Sequence, residues 1–135
     1  DILTGFCTET NEDFCTTITF IKEMAYGELH VFPYSKRPLT KAYHFSGHID
    51  DVTKHLRVNE LLKVNYELAL NYRKKCQDQV VIVLVEKVVG NLAFGHTSNY
   101  LQVQFKGKVV QNELVKVKLT EIDYPICKGV ITNEV

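Results

Sequence analysis

Apolar and polar residues follow two different rhythms along this chain, and the change falls near Cys76. Before it, apolar side chains recur at helical spacing. Phe14, Ile18, Ile21 and Ala25 fall at i, i+4, i+7 and i+11, one stripe of an amphipathic helix. Thr10-Asn11-Glu12-Asp13 supplies the start, a hydroxyl three residues ahead of a carboxylate in a variant of the capping box. Gly27 is the predicted left-handed stop. Apolar runs flank this helix, Asp1 to Phe6 before it and Leu29 to Tyr34 after it. Strand, helix, strand at this spacing is a βαβ unit, which makes its two strands parallel. Ser35 to Gly47 reads as a loop. Asp50 caps a second helix, predicted to run to about Lys75, with Val58, Leu61, Leu62, Leu68, Ala69 and Tyr72 on its apolar face and Asn65 interrupting it.

After Cys76 the period drops to two. Gln79–Val88, Leu92–Thr97, Tyr100–Phe105, Leu114–Ile122 and Lys128–Ile131 read as short strands, separated by Gly90-Asn91, Ser98-Asn99, Lys106-Gly107 and Gln111-Asn112. Val115-Lys116-Val117-Lys118-Leu119 alternates strictly, burying one face and presenting lysine on the other. About five antiparallel strands in so short a stretch predict a small barrel of the OB type. Two parallel strands cannot stand alone, because such sheets need both faces covered, and chain termini seldom begin a buried sheet. The sequence therefore reads as the tail of something longer.

Composition narrows the class. The chain has 135 residues, 45% hydrophobic and 24% charged, the balance of a globular protein. Its longest apolar run, Val80 to Val85, falls far short of the ~20 residues that span a bilayer, so no membrane partner is expected. Basic and acidic residues number 16 each. The balance holds on either side of residue 76, with ten of each sign before it and six after. Nucleic-acid contact would have to come from local clustering. The four cysteines, Cys7, Cys15, Cys76 and Cys127, show no metal spacing and read as reduced thiols of a cytoplasmic protein. The five histidines lack ligand spacing too, and no metal site is expected. Ser35, Ser46 and Ser98 have no activating neighbour in sequence.

The order of these pieces, a βαβ end-piece, the loop Tyr34-Ser35-Lys36-Arg37-Pro38-Leu39-Thr40, a long helix and a barrel, resembles the C-terminal portion of the radical S-adenosylmethionine tRNA methylthiotransferases. Gly5-Phe6-Cys7-Thr8-Glu9-Thr10 is similar to that family's GFPGET-like turn, and His30 to Thr40 to its HVFPYSxRxGT stretch. Gly95-His96-Thr97-Ser98-Asn99-Tyr100 is similar to the G-x-T-x-N-Y element of the family's TRAM domain, and Val115 to Lys118 to its late strand. Leu29 to Arg37 looks most like the branch acting on threonylcarbamoyladenosine beside the anticodon. Two departures stand out. Cys7-Thr8 replaces Pro-Gly and Leu39 replaces Gly, residues that resist the φ > 0 turns glycine permits, so a reshaped loop is expected at each.

The resemblance implies residues 1–76 as the C-terminal part of a radical S-adenosylmethionine (β/α) barrel with its closing helix, and residues 77–135 as an OB-like TRAM barrel. It implies S-adenosylmethionine and two 4Fe-4S clusters in the full-length enzyme, with tRNA and the missing N-terminal portion as partners. The cluster motif CxxxCxxC is absent here, so this polypeptide alone should be inert and no catalytic residue is assigned. Gly5, Glu9 and Tyr34 are the candidate cofactor residues, at the end of parallel strands where α/β folds place ligands. Read structurally instead, Gly5 is a turn residue, Glu9 an N-terminal helix charge and Tyr34 a core aromatic. Lys36, Arg37, Asn99, Tyr100, Lys106, Lys108, Lys116 and Lys118 are candidate RNA contacts, cations for phosphates and an aromatic for bases. The same lysines would also serve as an ordinary soluble strand face. A non-catalytic RNA-binding barrel is the alternative to the enzyme.

Overall fold

A computed structural model describes residues 1–133 and divides the chain into two compact units, Asp1–Ala69 and Leu70–Val135. The last two residues of the expected 77–135 domain lie outside the described residues.

In the first unit, β1 (Ile2–Thr4) pairs in parallel with β2 (Val31–Pro33), Ile2 opposite Val31. Between them runs α1 (Asn11–Met24). Its capping box is closed: the Asp13 N–H donates to Thr10 Oγ1 and the Thr10 N–H to Asp13 Oδ2, both at 3.0 Å. The helix ends at Ala25, not Gly27. Ala25 takes the left-handed conformation, φ 50°, and its N–H closes on the Ile21 and Lys22 carbonyls. A short 3-10 turn spans Lys41–His44. Asp50 then caps α2 (Asp51–Lys74), accepting from the Thr53 N–H and hydroxyl. Phe14, Ile21, Leu29, Leu61 and Val64 form the core of this unit. Asn65, the polar break in the α2 stripe, is buried for a reason: its Oδ1 accepts from the Leu29 N–H at 2.7 Å, where the chain enters β2.

The second unit is a closed five-stranded barrel in the order β3-β4-β5-β7-β6, OB-like in its Greek-key order. The strands are β3 (Val80–Val89), β4 (Leu92–His96), β5 (Gln102–Lys106), β6 (Leu114–Glu121) and β7 (Ile126–Ile131). The expectation of antiparallel strands throughout is corrected at one seam, because β5 and β7 run parallel. Greek-key closure demands this, since the last strand is inserted between the third and fourth rather than added at an edge. Val83, Val85, Ala93, Leu101, Val103, Phe105, Val115, Val117, Leu119 and Cys127 fill the interior. Tyr72 and Cys76, from the end of α2 and the turn after it, pack against that core.

Candidate nucleic-acid interface

At the end of β1, one oxygen of the Glu9 carboxylate is engaged three times over. Its Oε1 accepts from Arg57 Nη1 at 2.7 Å, the Gly5 N–H at 2.9 Å and the Thr4 hydroxyl at 3.0 Å. Arg57 is buried, and its second nitrogen reaches Asn11 Oδ1 at 3.1 Å. A buried pair of this kind costs about 3–5 kcal/mol when one partner is removed, because the other charge is left uncompensated. Gly5 and Glu9 thus satisfy each other and hold the turn into α1.

The loops around this turn take glycine-type conformations despite the departures at Thr8 and Leu39. Thr8 has φ 64° and Leu39 φ 72°, the left-handed region glycine would occupy without strain. Both positions therefore carry backbone strain. Tyr34 stacks on His48 at 6.1 Å and meets Phe6 edge-on at 4.9 Å, and its hydroxyl is buried with no hydrogen-bond partner among the described residues. Tyr34, Arg37 and Thr40 share one cleft of about 450 Å³. Lys36 lies beside it, its ammonium 5.4 Å from the Tyr43 ring centre. A further pairing was invisible to spacing: Cys7 Sγ sits 3.2 Å from His48 Nδ1, across 41 residues.

On the barrel, the Gly95–Tyr100 segment resolves into parts with separate tasks. At Gly95, β4 presses so close to β3 that a Cβ would lie 2.1 Å from the Leu84 carbonyl oxygen. The Thr97 hydroxyl accepts from the Leu101 N–H at 3.1 Å and donates to Asn99 Oδ1. Asn99 Nδ2 reaches the Tyr72 hydroxyl at 3.5 Å. These bonds close a turn that puts Tyr100 at φ 65°, its residue 77% exposed. A bulky residue in the left-handed region is strained backbone, held here by the hydrogen bonds of its turn.

Tyr100 overhangs a cleft of about 730 Å³ whose floor is Ile82, Leu84 and Leu114. These three point outward from the barrel, the reverse of Val83, Val85 and Val115. At one end the Glu86 carboxylate is bonded to His96 Nδ1. Lys116 stands in register with Ile82, and Lys118 follows it on the same face of β6. Lys106, Val130 and Lys118 occupy successive strands in one register row. Lys106, Lys116 and Lys118 therefore share one outer wall adjoining the cleft. Lys108 lies in the exposed bend after β5, outside that row. Lys128 joins the wall, with its ammonium 3.9 Å from Glu121. Sequence reading missed Lys128, Glu86 and the apolar floor. Outward isoleucine and leucine in an alternating strand was the signal available.

All four thiols are free. Burial, then the neighbouring Cys127, pushes the Cys76 thiol above its usual range. Among the described residues, no group of three or more His, Cys, Asp and Glu side chains is placed to hold a metal ion. The residues present therefore do not fit an iron–sulfur cluster. No helix among them is long and apolar enough to cross a membrane.

An exposed aromatic over an apolar cleft, beside a wall of lysines on an OB-like barrel, has the chemistry of a surface for single-stranded nucleic acid. No protein-family model matches the chain. Individual proteins do. It is 37% identical to threonylcarbamoyladenosine tRNA methylthiotransferase MtaB of Bacillus subtilis over 96% of its length. The corresponding enzyme of Chlamydia pneumoniae is 34% identical over 91% of the chain. A tRNA-2-methylthio-N(6)-dimethylallyladenosine synthase of Clostridium tetani is 38% identical over 90%. The chain is thus related to the tRNA methylthiotransferases along nearly all of its length. It spans 28–30% of the length of these relatives.

Proposed function

We propose that the chain works as the C-terminal part of a cytoplasmic radical S-adenosylmethionine tRNA methylthiotransferase acting on threonylcarbamoyladenosine next to the anticodon. In this reading residues 1–76 are barrel wall and closing helix, and residues 77–135 are a TRAM domain that grips tRNA. The observation that carries it is the 37% identity to the Bacillus subtilis enzyme, sustained over 96% of the chain. The closed barrel with Tyr100 and its basic wall supports the tRNA role. Lys106, Lys116 and Lys118 neutralise phosphates, Tyr100 offers a stacking face, and Asn99 holds the turn that presents it. Lys36, Arg37 and Lys108 add cations from loops.

Clusters and S-adenosylmethionine supply the C–H activation and sulfur insertion of such an enzyme, and the described residues offer no cluster ligand set. In this reading Gly5 and Glu9 shape the turn beside the cofactor, Glu9 through the bonds its Oε1 accepts, and Tyr34 keeps a hydroxyl with no hydrogen-bond partner among the described residues there.

Grafting residues 1–135 in place of the matching segment of the Bacillus subtilis enzyme tests the reading. Methylthiolated threonylcarbamoyladenosine, measured by mass spectrometry in a strain lacking the native gene, is the expected product. A folded chimera that binds tRNA but forms none would overturn the assignment. For the grip itself, replacing Lys116 and Lys118 by alanine should make the fall of tRNA affinity with salt shallower, by about 0.7–0.9 in log–log slope for each phosphate no longer neutralised.

A further inference from the structure

Cys7 and His48 pair a nucleophile with a base in a place the tRNA grip does not use. The Cys7 sulfur lies 3.2 Å from His48 Nδ1 and 3.8 Å from Nε2. The other acceptor near it, the Ala42 carbonyl, is farther, at 3.9 Å. His48 Nε2 is also 3.3 Å from the Tyr43 carbonyl oxygen, an atom that only accepts, so the bond there makes Nε2 the donor. Nδ1, the nitrogen nearer the sulfur, is then the one that takes a proton. Tyr34, stacked on the imidazole, helps to hold its plane. Nucleophile, base and a third group that orients the base are thus brought together. Cys7 is only 5% exposed, yet it lines a cleft of about 310 Å³ with Phe6, Thr8, Phe45 and Ser46. None of these lining side chains carries a charge.

The geometry points to Cys7 as a modification site for small uncharged disulfides, with His48 as its general base. The Cys7 sulfur attacks one sulfur of R–S–S–R while its proton passes to His48 Nδ1. The S–S bond of the reagent breaks and Cys7–S–S–R forms. The departing thiolate takes the proton back from the imidazolium and leaves as RSH. One thiol and one disulfide enter, and one mixed disulfide and one thiol leave. R then rests against the edge-to-face pair of Phe6 and Phe45, on the turn into α1. A free thiol in excess reverses the step, so the modification is a reversible one.

The test treats the 135-residue chain with substoichiometric dithiodipyridine at neutral pH, quenches with acid at intervals and maps each thiol by peptide mass spectrometry. Cys15, exposed on α1, is the unassisted reference. Without a base, a thiol as buried as Cys7 should lag behind Cys15. A positioned base contributes about 10²–10⁴-fold and burial offsets part of that, so Cys7 should react about tenfold faster than Cys15. His48→Phe keeps a ring for Tyr34 to stack on and removes the base. It should bring the Cys7 rate down to that of Cys15 or below. Unfolding the unaltered chain in urea separates Cys7 from His48 and should erase the lead as well, a check that does not depend on the variant folding. Cys7 reacting no faster than Cys15 in the folded chain would overturn the proposal. So would a lead that survives urea, or one that survives in a folded His48→Phe chain.

Discussion

Leu39 is fully exposed and yet holds φ 72°, a conformation that disfavours a branched side chain and that no side-chain contact compensates. Leu39→Gly should therefore stabilise the first unit by about 1 kcal/mol, read as a higher urea midpoint with an unchanged slope. Two caps set the response to acid. The Thr10 backbone N–H and then its hydroxyl hold the Asp13 carboxyl below its ordinary 3.8, and the Thr53 hydroxyl and N–H do the same for Asp50. A carboxylate whose folded value is lowered stabilises the fold above its unfolded value, and that contribution disappears as pH falls through the lowered one. Helicity should thus hold down to pH about 4 and fall below it. In an Asp13→Asn, Asp50→Asn double variant, far-ultraviolet circular dichroism should show a flatter acid limb.

Among the elements, those written as local patterns were legible. The Thr10 and Asp50 caps, the stripe through Phe14 and Ile21, and the alternation around Val115–Leu119 all stand in the structure because each rests on neighbours in sequence. What depends on distant partners was not. Ala25 ends α1 because its N–H closes on Ile21 and Lys22 there, short of the glycine that composition favours. Parallel pairing of β7 with β5 is a property of barrel closure, which no period reveals. The role of Gly95 is equally non-local, since the atom it makes room for is the Leu84 carbonyl oxygen. Gly95→Ala must push β4 from β3 and should destabilise the barrel by about 1–3 kcal/mol, seen as a lower thermal midpoint with helix signal retained.

At the level of the molecule, the division into units falls inside α2, between Ala69 and Leu70. Arg73 is buried with its guanidinium 4.8 Å from the Tyr124 ring centre, and Tyr72 and Cys76 pack on the barrel core. A fragment beginning at Leu70 should accordingly melt at a higher temperature than one beginning at Gln77, by a few degrees in calorimetry. Only part of the candidate site could be read beforehand. Tyr100 and the lysines of β6 announce themselves by type and spacing. The Glu86–His96 pair and the Cys7–His48 contact join residues ten and 41 positions apart, and only folding brings them together. The insertion of β7 also orders events at the ribosome. Of the barrel's five strands the one synthesised last, Ile126–Ile131, is the one that seals β5 to β6. A nascent chain paused before Ile126 carries two bare strand edges, so slow codons just ahead of that point would invite pairing with a neighbouring polysome product.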